Sequence, residues 1–143
     1  MIRRILVIAL VLCAAVAACG KKAPPRPLHF VIPQVSDLKA VASVKAITLS
    51  WTLPDPKAEA ARTRIFRSAL QTEAGDCPAC PRQFELITEL LPVELKPENG
   101  LAKFTDYNVK SGFLYSYKLT LCNSAGICGE ESNTSETRIH GAI

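Results

Sequence analysis

The chain has 143 residues, with 17 Lys and Arg against 13 Asp and Glu, and six cysteines. This length allows one ordinary domain and excludes an enzyme with separate cofactor and substrate modules. The apolar share is inflated at one end, because 16 of the first 18 residues are hydrophobic; with Arg3 and Arg4 set aside as well, the remaining charge is nearly balanced and implies no nucleic-acid partner.

Met1-Ile2-Arg3-Arg4 is a short basic start, followed by an unbroken apolar run from position 5 to 18 that ends in small residues. That is the layout of a secretory signal peptide, and the run is shorter than the roughly 20 residues a membrane-crossing helix needs. At its end, Val16-Ala17-Ala18-Cys19 resembles the lipobox of bacterial lipoproteins. The resemblance implies cleavage after residue 18 and a diacylglycerol and N-acyl chain (palmitate-type lipid) on Cys19. Such an anchor buries dozens of methylenes at about 0.8 kcal/mol each, so the protein is expected to be held stably on a membrane. In that class an aspartate after the cysteine retains the protein at the inner membrane. Gly20 therefore points to the outer membrane, on its periplasmic face. Residues 19–34 then carry Pro24, Pro25, Pro27 and Pro33 among Lys21, Lys22 and Arg26, a semi-rigid extended tether.

From residue 35 the pattern changes to short period-two segments separated by turn residues, which predicts an all-β domain over 35–143. Ile47, Leu49 and Trp51 alternate with Thr48 and Ser50, and Pro54-Asp55-Pro56 stops that strand. Only residues 58–62 read as helix, too few to bury a face. Residues 62–67 form the next strand. Residues 84–90 form another, although their apolar spacing also permits a helical turn. Asn99-Gly100 marks a tight turn before a strand over 101–106. In the last long strand Tyr115, Tyr117, Leu119 and Leu121 point one way and Ser116, Lys118, Thr120 and Cys122 the other. After a turn at Asn123-Ser124-Ala125-Gly126, residues 131–139 are expected to return as its hairpin partner.

These residues resemble a fibronectin type III domain. Leu49-Ser50-Trp51 followed by Pro54 is similar to that family's second strand with its core tryptophan. Phe104-Thr105-Asp106, Gly112, Tyr115-Ser116-Tyr117-Lys118-Leu119 and Asn123-Ser124-Ala125-Gly126 are similar to its last strands. The resemblance implies a seven-stranded fibronectin type III or immunoglobulin-like sandwich, with Tyr115 as a tyrosine-corner residue bonded back to the chain near Val109. A cysteine-bearing insertion interrupts the middle strand pair.

With Cys13 removed in the leader and Cys19 lipidated, Cys77, Cys80, Cys122 and Cys128 remain. An even number in an exported domain reads as two disulfides, with three possible pairings. Cys122 and Cys128 flank a proposed hairpin turn, where cross-strand Cβ atoms approach bonding distance, and this leaves Cys77 with Cys80. The alternatives are a thiol-redox motif at Cys77 and Cys80, or a zinc site adding Cys122 and Cys128. The first lacks a βαβ framework and the second has five residues between its last two ligands.

No catalytic or metal residues are assigned. His29 and His140 lie in the tether and the tail, no phosphate-binding or nucleophile motif occurs, and pairs such as Glu85 with Glu89 or Glu130 with Glu131 have no evident cleft. No cofactor is expected apart from the lipid on Cys19. If Thr63 and Ile65 face the core, Arg62, Arg64 and Phe66 share the outer face of one strand, a candidate docking stripe. The bland alternative is a solvated face with Phe66 covered by a loop. The sequence therefore points to a non-catalytic, membrane-anchored interaction module of the cell envelope with a protein partner. The alternatives are a thiol or metal factor and an envelope-glycan binder.

Overall fold

The computed structural model describes residues 32–54, 62–72 and 80–139. Its strands are β1 (Lys39–Ala42), β2 (Ile47–Thr52), β3 (Arg62–Gln71), β4 (Glu85–Leu90), β5 (Leu101–Asp106), β6 (Phe113–Cys122) and β7 (Ser135–Arg138). They form two antiparallel sheets, one ordered β1-β2-β5 and the other β4-β3-β6-β7. Alternation along β2 and β6 sets the inner faces. Ile47, Leu49 and Trp51 from the first sheet meet Tyr115, Tyr117, Leu119 and Leu121 from the second, and Ile65 of β3 completes the middle of the core. Trp51 and Tyr117 are fully buried and supply the largest apolar areas in this small interior.

Polar groups tie the sheets together at the end where the chain leaves β5. Tyr115 Oη accepts the Lys110 N–H at 2.8 Å, the tyrosine corner that the resemblance implies. Asp106, at the end of β5, is 5% exposed. Its Oδ2 accepts from Arg67 Nη1 and from the Tyr117 hydroxyl, each at 2.9 Å, and its Oδ1 accepts the Asn108 N–H at 2.9 Å. Burial first, and then the Asp106 carboxylate, hold the Tyr117 phenol neutral well above its ordinary range. On the open side, Asn133 imitates a strand residue: its Oδ1 accepts the Leu38 N–H and its Nδ2 donates to Leu38 O, both at 2.9 Å.

Most of the expected elements form where the patterning places them. Glu98 and Leu101 exchange backbone hydrogen bonds around Asn99 and Gly100, whose φ values of 52° and 79° are those a two-residue hairpin turn requires. Residues 85–90 are strand, not helical turn. Three features differ from expectation. A first strand, β1, has too little alternation to be read. A one-turn helix, α1 (Pro92–Leu95), precedes the hairpin, with the Glu94 carboxylate accepting the Leu91 N–H at 2.6 Å. The return strand pairs only over Ser135–Arg138, not 131–139, because Asn133 turns its amide to Leu38 and Ser132 Oγ takes the Leu119 N–H instead of a ladder partner. Of the short helix expected over 58–62, Arg62 opens β3, and the others lie outside the described residues, as do the leader, Cys19, Cys77, His29 and His140. Ile32 and Gln34, in the stretch read as tether, already touch the sandwich, as Gln34 Nε2 donates to Glu131 O at 2.7 Å.

Two carboxylates link stability to pH. Hydrogen bonds from the Thr52 hydroxyl and N–H hold Asp37 below its ordinary value of 3.8, and the Ser116 hydroxyl together with the Arg82 guanidinium holds Glu136 below 4.5. A carboxyl with a depressed folded pKa stabilises the fold above its unfolded pKa, and that contribution is lost as pH falls through the folded value. The unfolding midpoint in urea should therefore be flat near neutrality and decline below about pH 4.5, with Glu136→Gln reducing the slope of the decline. An identical acid limb in wild type and variant would refute the assignment.

Candidate functional site

The structure brings Arg62, Arg64 and Phe66 onto one outer face of β3, with Thr63 and Ile65 turned inward. Their charge is not available as a free stripe. Glu89 of β4 accepts from Arg62 Nη1 at 2.8 Å and from Arg64 Nε at 2.6 Å, because the β3–β4 register puts Arg64 opposite Glu89. These two hydrogen bonds, Arg64 first, hold the Glu89 carboxyl below its ordinary value. Phe66 is half-buried beside Lys118, whose ammonium lies 6.0 Å from its ring centre and 4.3 Å from that of Phe84. Lys118 pairs in turn with Glu131 at 2.7 Å, and Arg82 pairs with Glu136 at 3.2 Å. The segment after the cysteine insertion thus folds back over this face, the bland arrangement of a covered Phe66 among internally paired charges.

At the far end of β6, Cys122 and Cys128 form a disulfide and are bridged as strand partners, the pairing that the hairpin geometry implied. Cys80 is also disulfide-bonded. The enclosed loop is built on Asn123, whose Oδ1 accepts the N–H groups of Ala125 and Ile127 at 3.0 Å. Cys122 is fully buried and Cys128 is half-buried, with the Arg64 guanidinium 3.5 Å from its sulfur. A closed loop of this length constrains the unfolded chain by about 2 kcal/mol. Cys122→Ser with Cys128→Ser should lower the unfolding free energy by about that amount in urea titrations under oxidising conditions. No loss would show that the turn hydrogen bonds alone hold the loop.

Beside this loop the entering chain packs closely. A Cβ added at Gly129 would sit 3.0 Å from both Ile32 Cγ2 and Ile32 O, so only glycine lets the two segments approach. A shallow groove of about 580 Å³ runs between them, lined by Ile32, Pro33, Gln34, Ile127, Cys128 and Gly129, with Glu130 at its edge. Among the described residues no three His, Cys, Asp or Glu side chains gather in a way that holds a metal ion.

The opposite end carries a feature that sequence reasoning passed over. Tyr107, which follows β5, is 77% exposed although the backbone on both sides of it is fixed. Asp106 before it is buried and triply bonded, Asn108 after it donates its N–H to Asp106 and accepts Arg67 Nη1 at 2.7 Å, and Lys110 is held by Tyr115. The signal present in the sequence was an aromatic directly after a strand-ending aspartate, outside the inward alternation of β5.

Two sheets in the orders β1-β2-β5 and β4-β3-β6-β7, a buried tryptophan on β2 and a tyrosine corner define a fibronectin type III-like sandwich. Comparison with solved structures supports this class. The third fibronectin III domain of the human KIAA0343 protein aligns over 87% of this chain and 96% of that one, with a TM-score of 0.54 at 13% identity. Part of the pectate lyase Pel3 of Pectobacterium carotovorum aligns over 73% of this chain at a TM-score of 0.51 and 21% identity. Part of a β-1,2-glucanase of Parabacteroides distasonis aligns over 79% at 0.52 and 20%. The chain spans only 27% and 14% of those two proteins, and at these identities the likeness is one of fold. No protein-family model and no curated protein sequence matches the chain.

Proposed function

We propose that this chain is a lipid-anchored protein of the cell envelope that presents one fibronectin type III-like domain on a proline-rich tether and acts by binding another protein, without catalysis. The observation that carries this reading is Val16-Ala17-Ala18-Cys19 at the end of a signal-type leader, placed before a sandwich of a kind that serves as an interaction module. Gly20 in place of aspartate favours the outer membrane, and residues 19–31 leave a span of about 40 Å between anchor and domain if extended as polyproline II. Metabolic labelling with an alkynyl fatty acid tests it: wild type should label and sediment with membranes, and Cys19→Ser should lose both properties. Unchanged labelling or fractionation of Cys19→Ser would overturn the anchor.

The thiol or zinc reading built on Cys77 and Cys80 is the weaker one. The zinc form needs the sulfurs of Cys122 and Cys128, which are spent on each other, and the redox form needs a βαβ framework, which an all-β sandwich does not supply. An envelope-glycan reading draws on the names pectate lyase and β-1,2-glucanase among the similar structures.

A further inference from the structure

We propose that the end of the sandwich formed by the β1–β2 turn and the loop leaving β5 is the docking end of this domain, with Tyr107 as anchor for an acidic surface on a partner protein. This names the partner's chemistry for the interaction module above and rests on that reading. Tyr107 is held out from the surface by a backbone whose neighbours are already bonded, so little ordering is lost when it is covered. The pairing of Ile47 with Ala42 on one side and Asp106 on the other puts the β1–β2 turn next to this loop. There Val44 is 64% exposed and Val41 is 63% exposed. Tyrosine is among the residue types that anchor protein-binding hot spots, and the two valines add exposed apolar area around it that a protein can cover, whereas a polyhydroxylated glycan gains little from them.

Charge gives the partner its sign. Lys45 and Lys110 are exposed at this end, and neither takes part in an ion pair among the described residues. Asp106, the carboxylate beside Tyr107, is buried and taken by Arg67. Among the described residues this end therefore presents cations without counter-ions, in contrast to the β3 face, where Glu89 occupies both arginines. The chain's direction supplies orientation. Ile32 and Gln34 enter beside Gly129 and Glu131, at the disulfide end of β6, and the ten residues of β6 place the Tyr107 loop about 30 Å away. A tether attached ahead of Ile32 thus holds one end of the domain and leaves the Tyr107 end facing outward.

The test is photocrosslinking of the full chain in intact cells, with p-benzoylphenylalanine replacing Tyr107 in one strain and Leu86, exposed on β4, in another. The expected result is a protein adduct from position 107 only, reduced at least about ten-fold by Lys45→Glu with Lys110→Glu and regained when acidic residues at the crosslinked site of the captured protein are changed to lysine. Both lysines are exposed, so the unfolding midpoint of the purified double variant should match wild type, which separates lost binding from lost folding. An adduct indifferent to charge reversal, a self-adduct, a glycan adduct, or capture from Leu86 alone would overturn the inference while leaving a binding function standing. No adduct at either position would count against the interaction reading itself.

Discussion

Asp106→Ala should cost about 3 kcal/mol, the low end of the range for breaking a buried ion pair. Removing this carboxylate strands two groups at once: the Tyr117 phenol, in the middle of the core, and the Arg67 guanidinium, whose side chain is only 17% exposed. The low end applies because Arg67 keeps the Asn108 carbonyl as a partner and reaches some water. The Asn108 N–H loses its acceptor as well, so the loop carrying Tyr107 should loosen together with the global loss. Asp106→Asn retains shape and one acceptor oxygen and should cost about half as much. Urea unfolding at neutral pH measures both variants. Arg67→Met combined with Asp106→Ala should recover part of the loss, since removing both partners of a buried pair leaves no uncompensated charge. A loss below about 1 kcal/mol for Asp106→Ala would show that the cluster is incidental.

Trp51→Ala should cost about 3–5 kcal/mol. The indole is fully buried on β2 within the core cluster, and Leu49 and Ile47 on its own strand are equally enclosed, so the strand has little room to collapse into the void. A second variant separates volume from polarity. Trp51 Nε1 is buried and has no hydrogen-bond acceptor among the described residues. Trp51→Phe removes ring volume together with that unsatisfied donor, so its cost should be only about 1–2 kcal/mol. Equal losses for Phe and Ala would mean that the N–H has an acceptor and that the indole is valued for it.

How far such properties were legible in the sequence varies with the residue. Trp51, Tyr115, Tyr117, Leu119 and Leu121 were readable as core because period two is a property of the strand itself. The Asn99-Gly100 turn was readable because positive φ at two successive positions has few residue solutions. The Cys122 and Cys128 bond followed from a local hairpin, where six residues of separation settle the geometry. Arg62, Arg64 and Phe66 were correctly placed on one face, but their meaning was not legible. Glu89 lies 25 residues from Arg64 in sequence and meets it only through the register of β3 with β4. β1 escaped notice because its short run KAVA has no strong alternation, and side chains 95 residues away, Asn133 and Ser135, meet its edge.

The sequence by itself determined the class of the domain, its all-β patterning and its inward residues, because each depends on neighbours a few positions apart. Only the tertiary structure decided which charges are spent and which are free. The Arg62 and Arg64 stripe shares the carboxylate of a strand partner, whereas among the described residues Tyr107, Lys45 and Lys110 stand exposed at an end whose backbone is fixed by Asp106 and Tyr115. Availability for binding depends on what lies across the sheet and across the sandwich, and those distances are set by packing, not by spacing along the chain.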